Sequence, residues 1–260
     1  MTIGFVGFGK MAEALWHGFR DENPIAVCFE PSPERQTVAS ALDVEVVGSI
    51  KDLMNRVSTV ILCIKPQSLP EIATSVAPLK PDQELVSILA GIPIQRLESI
   101  FGLQGAIVRV MPNTPCMVGA GMSALAFAYG VPEKTRTRLL SLFKLTGDAI
   151  EVPEAWMNAV TGISGSGPAF LYRLVESAVA AGKQYDIPEE VAIRLFANTL
   201  IGAGTMMLKR DKTPAELVAE VTSPNGTTMA GLAEFDARKI DRLFSSVILK
   251  AILRSEELSQ

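Results

Sequence analysis

The chain has 260 residues, of which 48% are hydrophobic and 20% are charged, and its formal net charge is −4. This composition is typical of a well-packed globular enzyme with one large or two medium domains, and the negative charge argues against nucleic acid or an anionic membrane surface as the main partner. The three cysteines (Cys28, Cys63 and Cys116) have no metal-ligand spacing, so we expect a reducing, cytoplasmic environment and no metal centre. Because the chain enters an apolar strand directly, we expect no signal peptide.

The first predicted strand, Ile3–Phe8, runs into a glycine-rich turn. Residues 7–12, GFGKMA, fit the G-x-G-x-x-G/A pattern of a dinucleotide-binding βαβ unit. Gly7 permits a tight turn, Gly9 has no Cβ to hold the backbone away from a pyrophosphate, and Ala12 lets the helix pack close to the sheet. Free N–H groups at the start of that helix would bind the phosphates of NADH or NADPH. The alternative is a turn that only packs a helix on a sheet.

Strands and helices alternate through residue 152. The predicted strands are Ile3–Phe8, Ile25–Phe29, Val44–Val47, Thr59–Ile64, Glu84–Leu89, Ala106–Val110, Met122–Ala128 and Ala149–Val152. The predicted helices include Lys10–Asp21, Glu34–Leu42 and Ile94–Ile100. The central strands are apolar almost throughout, which favours a parallel sheet covered on both faces and therefore a doubly wound Rossmann domain over residues 1–152. The uncharged stretch 110–132 is broken by prolines and glycines, so we expect no membrane span there.

From Pro153 the pattern becomes helical, and we predict an α-helical domain over residues 153–260. Residues 240–252 carry one apolar stripe with helical spacing, and Pro188 opens another helix that Lys209 and Arg210 close. The small residues 202–204 would let another helix approach closely. Such long apolar stripes favour dimerisation through this domain, although the same helices could pack on one another in a monomer.

Glu30 ends the second predicted strand, about 20 residues beyond the glycines, at the position that reads the adenosine ribose in Rossmann domains. A carboxylate there accepts hydrogen bonds from the ribose 2′-hydroxyl and repels a 2′-phosphate, which favours NADH. Ser32 and Arg35 are close enough in sequence to bind that phosphate instead. Both cofactors therefore stay open at this point.

The usual catalytic side chains are scarce. His17 is the only histidine, and a histidine within the first helix is better explained by packing than by catalysis. The sequence offers no Ser-His-Asp set, no Cys-His pair and no metal cluster. Hydride transfer can proceed without such groups if the substrate is already electrophilic, as a protonated imine is.

Two turn-rich tracts interrupt the helical pattern of the second domain. Residues 161–169, TGISGSGPA, precede a long predicted helix, and residues 221–228, VTSPNGTT, precede another. Exposed N–H groups and hydroxyls at a helix start can bind a carboxylate, and the alternative is ordinary helix capping by Ser and Thr.

Taken together, these residues resemble pyrroline-5-carboxylate reductase, the family that makes proline from its cyclic imine precursor in the last step of proline biosynthesis. The resemblance covers essentially the whole chain. It rests on residues 4–15 (GFVGFGKMAEAL), 64–67 (IKPQ), 109–115 (RVMPNTP), 161–170 (TGISGSGPAF), 221–232 (VTSPNGTTMAGL) and 254–258 (RSEEL).

The resemblance implies a Rossmann domain joined to a helical domain that interlocks with its partner in a homodimer, with dimers often assembled into a ring. It also implies an active site between the nicotinamide and the loop at 223–228 in the dimer. Gly226, Thr227 and Thr228 would then hold the substrate carboxylate and ring nitrogen, with Ser223 and Asn225 in the same binding loop. Thr228 is the expected catalytic hydroxyl, hydrogen-bonded to the imine nitrogen.

For the cofactor, the resemblance implies that Gly7, Phe8, Gly9, Lys10 and Met11 cradle the phosphates. The cofactor cleft would be lined by Ile64, Lys65, Pro66, Met111 and Asn113. No metal ion is implied.

Two positions depart from the family pattern. Asn225 replaces the first glycine of a Ser-Pro-Gly-Gly loop, and Asn tolerates left-handed backbone angles better than most residues. Glu30 stands where relatives often carry Asn or Ser, and Pro31 takes the place of an arginine, which weakens the case for NADPH.

Two alternatives remain. A reductase of another imine or of a β-hydroxy acid could share the two-domain plan. A hydroxy-acid enzyme would need a lysine as acid or base, and Lys183 and Lys209 are the first candidates. Both are better explained as solvated charges at helix ends. The second alternative is a non-catalytic cofactor sensor. The hydroxyl- and glycine-rich loop at 221–228 argues against it, because a sensor does not need a second carboxylate-binding site.

Overall fold

The structure, a computed structural model, describes residues 1–22, 24–209 and 211–259. The chain divides into two compact units. The first comprises residues 1–168 together with the C-terminal residues from 250 onward, and the second comprises Ala169–Leu249.

An eight-stranded sheet forms the centre of the first unit. Its strands are β1 (Thr2–Val6), β2 (Ile25–Phe29), β3 (Glu45–Val46), β4 (Thr59–Leu62), β5 (Glu84–Ser87), β6 (Ala106–Met111), β7 (Gly121–Phe127) and β8 (Gly147–Glu151). They lie in the order β3-β2-β1-β4-β5-β6-β7-β8, and every neighbouring pair is parallel except β6 with β7. The strand order reverses between β1 and β4, so the crevice at their carboxyl ends is where a doubly wound fold binds its ligand.

Helices connect the strands and continue through the second unit. They are α1 (Lys10–Phe19), α2 (Pro33–Ala41), α3 (Ile50–Arg56), α4 (Leu69–Ala73), α5 (Ile94–Phe101), α6 (Glu133–Lys144), α7 (Met157–Val160), α8 (Gly167–Lys183), α9 (Glu189–Lys209), α10 (Pro214–Glu220), α11 (Thr227–Ala237) and α12 (Ile240–Glu257). The predicted doubly wound domain followed by helices is confirmed, and no strand follows β8 in the described part of the chain. Arg210, expected to close α9, lies outside the described residues.

Each face of the sheet buries its own apolar cluster. One cluster contains Phe5, Trp16 and Phe143, and the other contains Leu53, Leu85 and Phe101. Phe19 and Phe143 meet edge to face with ring centroids 5.3 Å apart, which anchors α1 against α6. This double coverage explains why the central strands are apolar almost throughout, as the sequence predicted.

The C-terminal end of α12 belongs to the first unit. Ser255 Oγ donates to Asn158 Oδ1 at 2.9 Å. The Leu258 carbonyl oxygen lies 2.8 Å from where a Cβ on Gly91 would be, and Gly91 has a φ of +78°. The C-terminal end of α12 is therefore fixed to α7 and to the loop at Gly91.

Residues 161–165 correct one prediction. The sequence suggested a turn-rich break, but Thr161–Gly165 is a π-helical turn that continues α7, and α8 begins at Gly167. Ser166 N donates to the Thr161 carbonyl at 2.8 Å, the i to i+5 spacing of a π-helix. The glycines and serines lie within a wide helical turn because their small side chains permit it.

The second unit is helical in all its regular structure. Large apolar side chains of α9 are exposed in the isolated chain, including Leu195, Ile201 and Leu208. By length and composition alone, α9 is the one described helix that could cross a membrane.

Candidate active site

The glycine turn after β1 has the geometry that a dinucleotide requires. Gly7 has a φ of +85°, and a Cβ there would lie 2.9 Å from the Cys63 carbonyl oxygen, so a side chain is excluded on both counts. Gly9 is the N-cap of α1 with extended backbone angles, makes no side-chain cap, and has open space where a Cβ would be. The first N–H groups of α1 therefore have open space beside the Gly9 backbone, and a pyrophosphate could bind there.

A cavity of about 350 Å³ opens next to this turn. It lies at the carboxyl ends of β1 to β4, the edge at which the strand order reverses. It is lined by Gly7, Phe29, Pro31, Gly48, Ser49, Ile50, Ile64, Ser68, Glu71, Ile72 and Ser75. Its walls are mostly apolar, which suits the adenosine portion of a nicotinamide dinucleotide.

Glu30 links the glycine turn to the loop after β2. One carboxylate oxygen accepts from the Phe8 N–H at 2.7 Å, and the other accepts from the Ser32 N–H at 2.9 Å. Burial raises the pKa of the neighbouring Cys28 thiol to about 11, and the charge of Glu30 adds to that rise. The carboxylate is thus fixed beside Gly9 by two charge-assisted hydrogen bonds.

Ser32 and Arg35 have structural partners of their own. Ser32 is the N-cap of α2, and its hydroxyl accepts from the Arg35 N–H at 3.4 Å. The Arg35 guanidinium donates to the Phe8 carbonyl at 2.8 Å and to Glu13 at 2.9 Å.

Residues 64–66 follow β4 on the other side of the switch point. Ile64 lines the cavity, and its side chain is 3.0 Å from where a Cβ on Gly7 would lie. Lys65 is exposed, with extended backbone, and caps the short 3₁₀ turn that begins at Pro66. The glycine turn lies on one side of the crevice, and residues 64–66 lie on the other.

Asn113 holds the end of β6 to two other segments. Its amide nitrogen donates to the Ser164 carbonyl at 3.1 Å, and its amide oxygen accepts from the Met122 N–H at 2.9 Å. The residue is buried, as is Met111, whose sulfur lies next to Gly165. Sequence reasoning placed both residues in the cofactor cleft but did not reveal that Asn113 fixes the π-helical turn.

The predicted substrate loop lies in the second unit and precedes α11. Asn225 has a φ of +59°, so the left-handed geometry that glycine would supply is adopted by asparagine. Gly226 N donates to the Ser223 carbonyl at 3.0 Å, and Gly226 is the N-cap of α11 without a side-chain cap. Thr227 and Thr228 are exposed in the first turn of an 11-residue helix, where N–H groups and hydroxyls are available to a carboxylate.

Other candidate groups lack a catalytic setting. Burial raises the pKa of the Cys63 thiol, so it is not a nucleophile near neutral pH. Lys183 is exposed and pairs with Glu189 at 3.0 Å, as a solvated helix-end charge does, and Lys209 is exposed as well. Within the described residues, no three His, Cys, Asp or Glu side chains come together as a possible metal site.

Comparison with known proteins extends over the full length of the chain. A pyrroline-5-carboxylate reductase of Pseudomonas aeruginosa is 36% identical over 264 aligned residues, which cover 99% of this chain and 97% of the relative. The chain belongs to the pyrroline-5-carboxylate reductase family. A reductase of the same name from Arabidopsis thaliana is 34% identical and aligns with 99% of this chain and 95% of its own length. The resemblance seen in the sequence is thereby confirmed.

Two family models match separate parts of the chain. The model described as NADP oxidoreductase, coenzyme F420-dependent, matches residues 2–91, and the model described as pyrroline-5-carboxylate reductase dimerisation matches residues 154–258. The first covers the glycine turn and Glu30, and the second covers the loop at 223–228. Self-association through the helical region and use of a nicotinamide cofactor, both expected from the sequence, are supported by these matches.

Solved structures of family members share the fold. A 1-pyrroline-5-carboxylate reductase from Streptococcus pyogenes superimposes with a TM-score of 0.91 at 29% identity, covering 99% of this chain and 98% of its own. A Plasmodium falciparum pyrroline carboxylate reductase with NADP bound gives a TM-score of 0.89 at 28% identity, covering 100% and 98%. The predicted architecture of a Rossmann domain with a helical C-terminal region is therefore the family fold.

Proposed function

We propose that the chain reduces L-1-pyrroline-5-carboxylate to L-proline with a hydride from NADH or NADPH. The observation that carries this proposal is family membership over the whole chain, with the glycine turn and the Ser-Pro-Asn-Gly-Thr-Thr loop both intact. The bound nicotinamide supplies the hydride, which adds to the carbon of the protonated C=N bond and leaves a neutral secondary amine.

On the cofactor side, Gly7 to Met11 bind the phosphates. Gly9 lets the backbone approach the pyrophosphate, and the N-terminus of α1 contributes N–H donors and partial positive charge. Ile64, Lys65, Pro66 and Met111 line the cleft. Asn113 contributes by holding β6 and the π-helical turn in register, since both ends of its amide are already bonded.

On the substrate side, the loop before α11 binds the imine acid. The N–H groups of Thr227 and Thr228, which follow the N-cap Gly226 and have no side-chain cap, suit the carboxylate, and Ser223, Asn225 and Gly226 shape the loop. The Thr228 hydroxyl hydrogen-bonds the ring nitrogen and so orients the C=N bond. The protein's contribution is positioning rather than acid–base chemistry, which fits the scarcity of titratable groups in the loop.

We further propose that the active form is a homodimer, and that dimers assemble into a ring. The dimerisation match spans the helices whose apolar side chains are exposed in the isolated chain. Gly202 and Gly204 of α9 have open space at their Cβ positions, which permits close approach of a helix from a second copy. We assign α9 to this interface and not to a membrane, and we place the protein in the cytoplasm, where its three free thiols stay reduced.

We place the boundary between the nucleotide-binding and helical domains at residues 152 and 153. The last strand ends at Glu151, and the dimerisation match begins at residue 154. This sequence-based boundary differs from the division into compact units, because α7 and the end of α12 pack with the first unit.

The test is a steady-state assay with racemic pyrroline-5-carboxylate. Purified protein is mixed with NADH or NADPH in parallel, nicotinamide absorbance is followed, and proline is quantified in the product. We expect cofactor oxidation that matches proline formation mole for mole. Oxidation with other cyclic imines but not with this one would place the chain among other imine reductases, and no oxidation with any of them would favour a cofactor sensor.

A further inference from the structure

The residue that follows β2, where a Rossmann domain binds the adenosine ribose, is a carboxylate held by two hydrogen bonds. Glu30 accepts from the Phe8 N–H at 2.7 Å and from the Ser32 N–H at 2.9 Å, one bond to each carboxylate oxygen. Each oxygen keeps a further lone pair for another donor. The carboxylate is therefore ready to accept from a ribose hydroxyl without rearrangement.

The cation that could receive a 2′-phosphate is engaged elsewhere. Arg35 donates through Nε to the Phe8 carbonyl at 2.8 Å and through Nη2 to Glu13 at 2.9 Å, and its side chain is only 21% exposed. Burial works to raise the pKa of the Glu13 carboxyl, but the hydrogen bonds and charges of Arg35 and Lys10 together outweigh it and leave the pKa below its ordinary value. Arg35 therefore serves as a link between α1 and α2.

The remaining polar groups at this edge do not replace that cation. The Ser32 hydroxyl is the cap of α2. Lys10 is 78% exposed and lies 3.5 Å from Glu13, and Glu34 adds another exposed carboxylate in the first turn of α2. A 2′-phosphate would thus meet the carboxylates of Glu30 and Glu34, while the Arg35 guanidinium is already paired with Glu13.

We infer that this chain selects NADH over NADPH, because Glu30 receives the ribose 2′-hydroxyl while Glu13 holds Arg35 away from a 2′-phosphate. The inference rests on the proposed function for the presence of the nucleotide in this crevice. Glu30 was visible in the sequence as a candidate, but the engagement of Arg35 depends on Glu13, which lies 22 residues away on another helix.

The test measures binding rather than turnover. Cofactor-free protein is titrated with NADH and with NADPH, and nicotinamide fluorescence gives the two dissociation constants. We expect NADH to bind about tenfold more tightly or better, since the alternative places two like charges in contact. Glu13→Ala frees Arg35 and should tighten NADPH about fivefold to tenfold with NADH nearly unchanged.

Three further variants complete the design. Glu34→Ala also removes one carboxylate charge from this edge but leaves Arg35 paired with Glu13, so its gain in NADPH affinity should be much smaller. The double variant with Glu13→Ala and Arg35→Ala should not show the gain in NADPH affinity that Glu13→Ala shows alone. Glu30→Gln should weaken NADH binding and reduce the ratio between the two dissociation constants. The variant keeps one acceptor oxygen and so loses the bond to either the Phe8 N–H or the Ser32 N–H, and its melting temperature shows whether the protein remains folded.

The outcomes separate the two proposals. Wild-type protein that binds NADPH as tightly as NADH overturns the inference while leaving the proposed function intact, and so does a Glu13 variant whose NADPH affinity matches that of Glu34→Ala. Protein that binds neither cofactor overturns the proposed function itself.

Discussion

At the scale of single residues, Gly7 and Gly9 of the nucleotide turn are required for different reasons. Gly7 has a positive φ and no room for a Cβ, so its requirement is conformational. Gly9 has ordinary extended angles and open space, so nothing in the protein itself excludes a side chain. The second glycine is therefore needed by the ligand.

This difference predicts opposite behaviour of two alanine variants. Gly7→Ala should lower the free energy of unfolding by about 1–3 kcal/mol, since it combines left-handed backbone with a clash against the Cys63 carbonyl. Gly9→Ala should unfold like wild type in urea but bind NADH about tenfold more weakly or worse, because its methyl group meets the pyrophosphate. Normal NADH affinity in a folded Gly9→Ala protein would remove this turn from phosphate binding.

The Thr228 hydroxyl carries the second residue-scale prediction. Thr228→Ala should lower kcat about 10- to 100-fold, the value of one hydrogen bond to a charged group, with little change in NADH affinity. Thr228→Ser should restore most of the rate, since the hydroxyl is retained. Thr222→Ala is the matched control, because that hydroxyl bonds the Val218 carbonyl within the protein. Equal kcat values for Thr228→Ala and wild type would exclude Thr228 from the mechanism.

At the scale of elements, apolar runs and turn residues were enough to predict the sheet, and tertiary contacts decided the rest. A predicted segment overlaps each of the eight strands, and the central ones were predicted because strands buried on both faces are apolar. The first strand ends at Val6 and not at Phe8, because Gly7 turns the chain. The π-helical turn at 161–165 was missed, because its glycines and serines are held in a helix by Asn113, which follows β6 and is distant in sequence. Likewise, no local pattern reveals that Glu13 holds Arg35.

Asn113 should therefore be a determinant of stability. Asn113→Ala leaves the Met122 N–H and the Ser164 carbonyl without partners and should cost about 2–4 kcal/mol in the free energy of unfolding, whereas Asn113→Asp keeps the first bond and should cost less. Denaturant titration measures both, with Asn55→Ala on the exposed face of α3 as control. Equal free energies of unfolding for Asn113→Ala and Asn55→Ala would show that the two hydrogen bonds of the Asn113 amide do not stabilise the fold.

At the scale of the whole molecule, the exposed apolar helices of the second unit imply a partner copy. Ile201 is 68% exposed in the isolated chain and lies in α9 within the dimerisation match, one residue before Gly202. Side chains of this kind in a long helix are normally covered. In the proposed dimer, a second copy covers this face of α9.

Ile201→Glu should dissociate the dimer, because it would bury an unpaired charge at the interface. Leu103→Glu, at a site 76% exposed in the first unit, should leave the dimer intact. Light scattering on the two variants at equal concentration gives the masses. A dimeric Ile201→Glu protein would move the interface away from this face of α9.

The central claim is that the nicotinamide hydride is delivered directly to the imine carbon of pyrroline-5-carboxylate. The most direct measurement is mass spectrometry of the proline formed with NADH that carries deuterium at the transferred C4 position. The account predicts proline one mass unit heavier, with the deuterium at the former imine carbon, as direct hydride transfer requires. Unlabelled proline, or none at all, would contradict it.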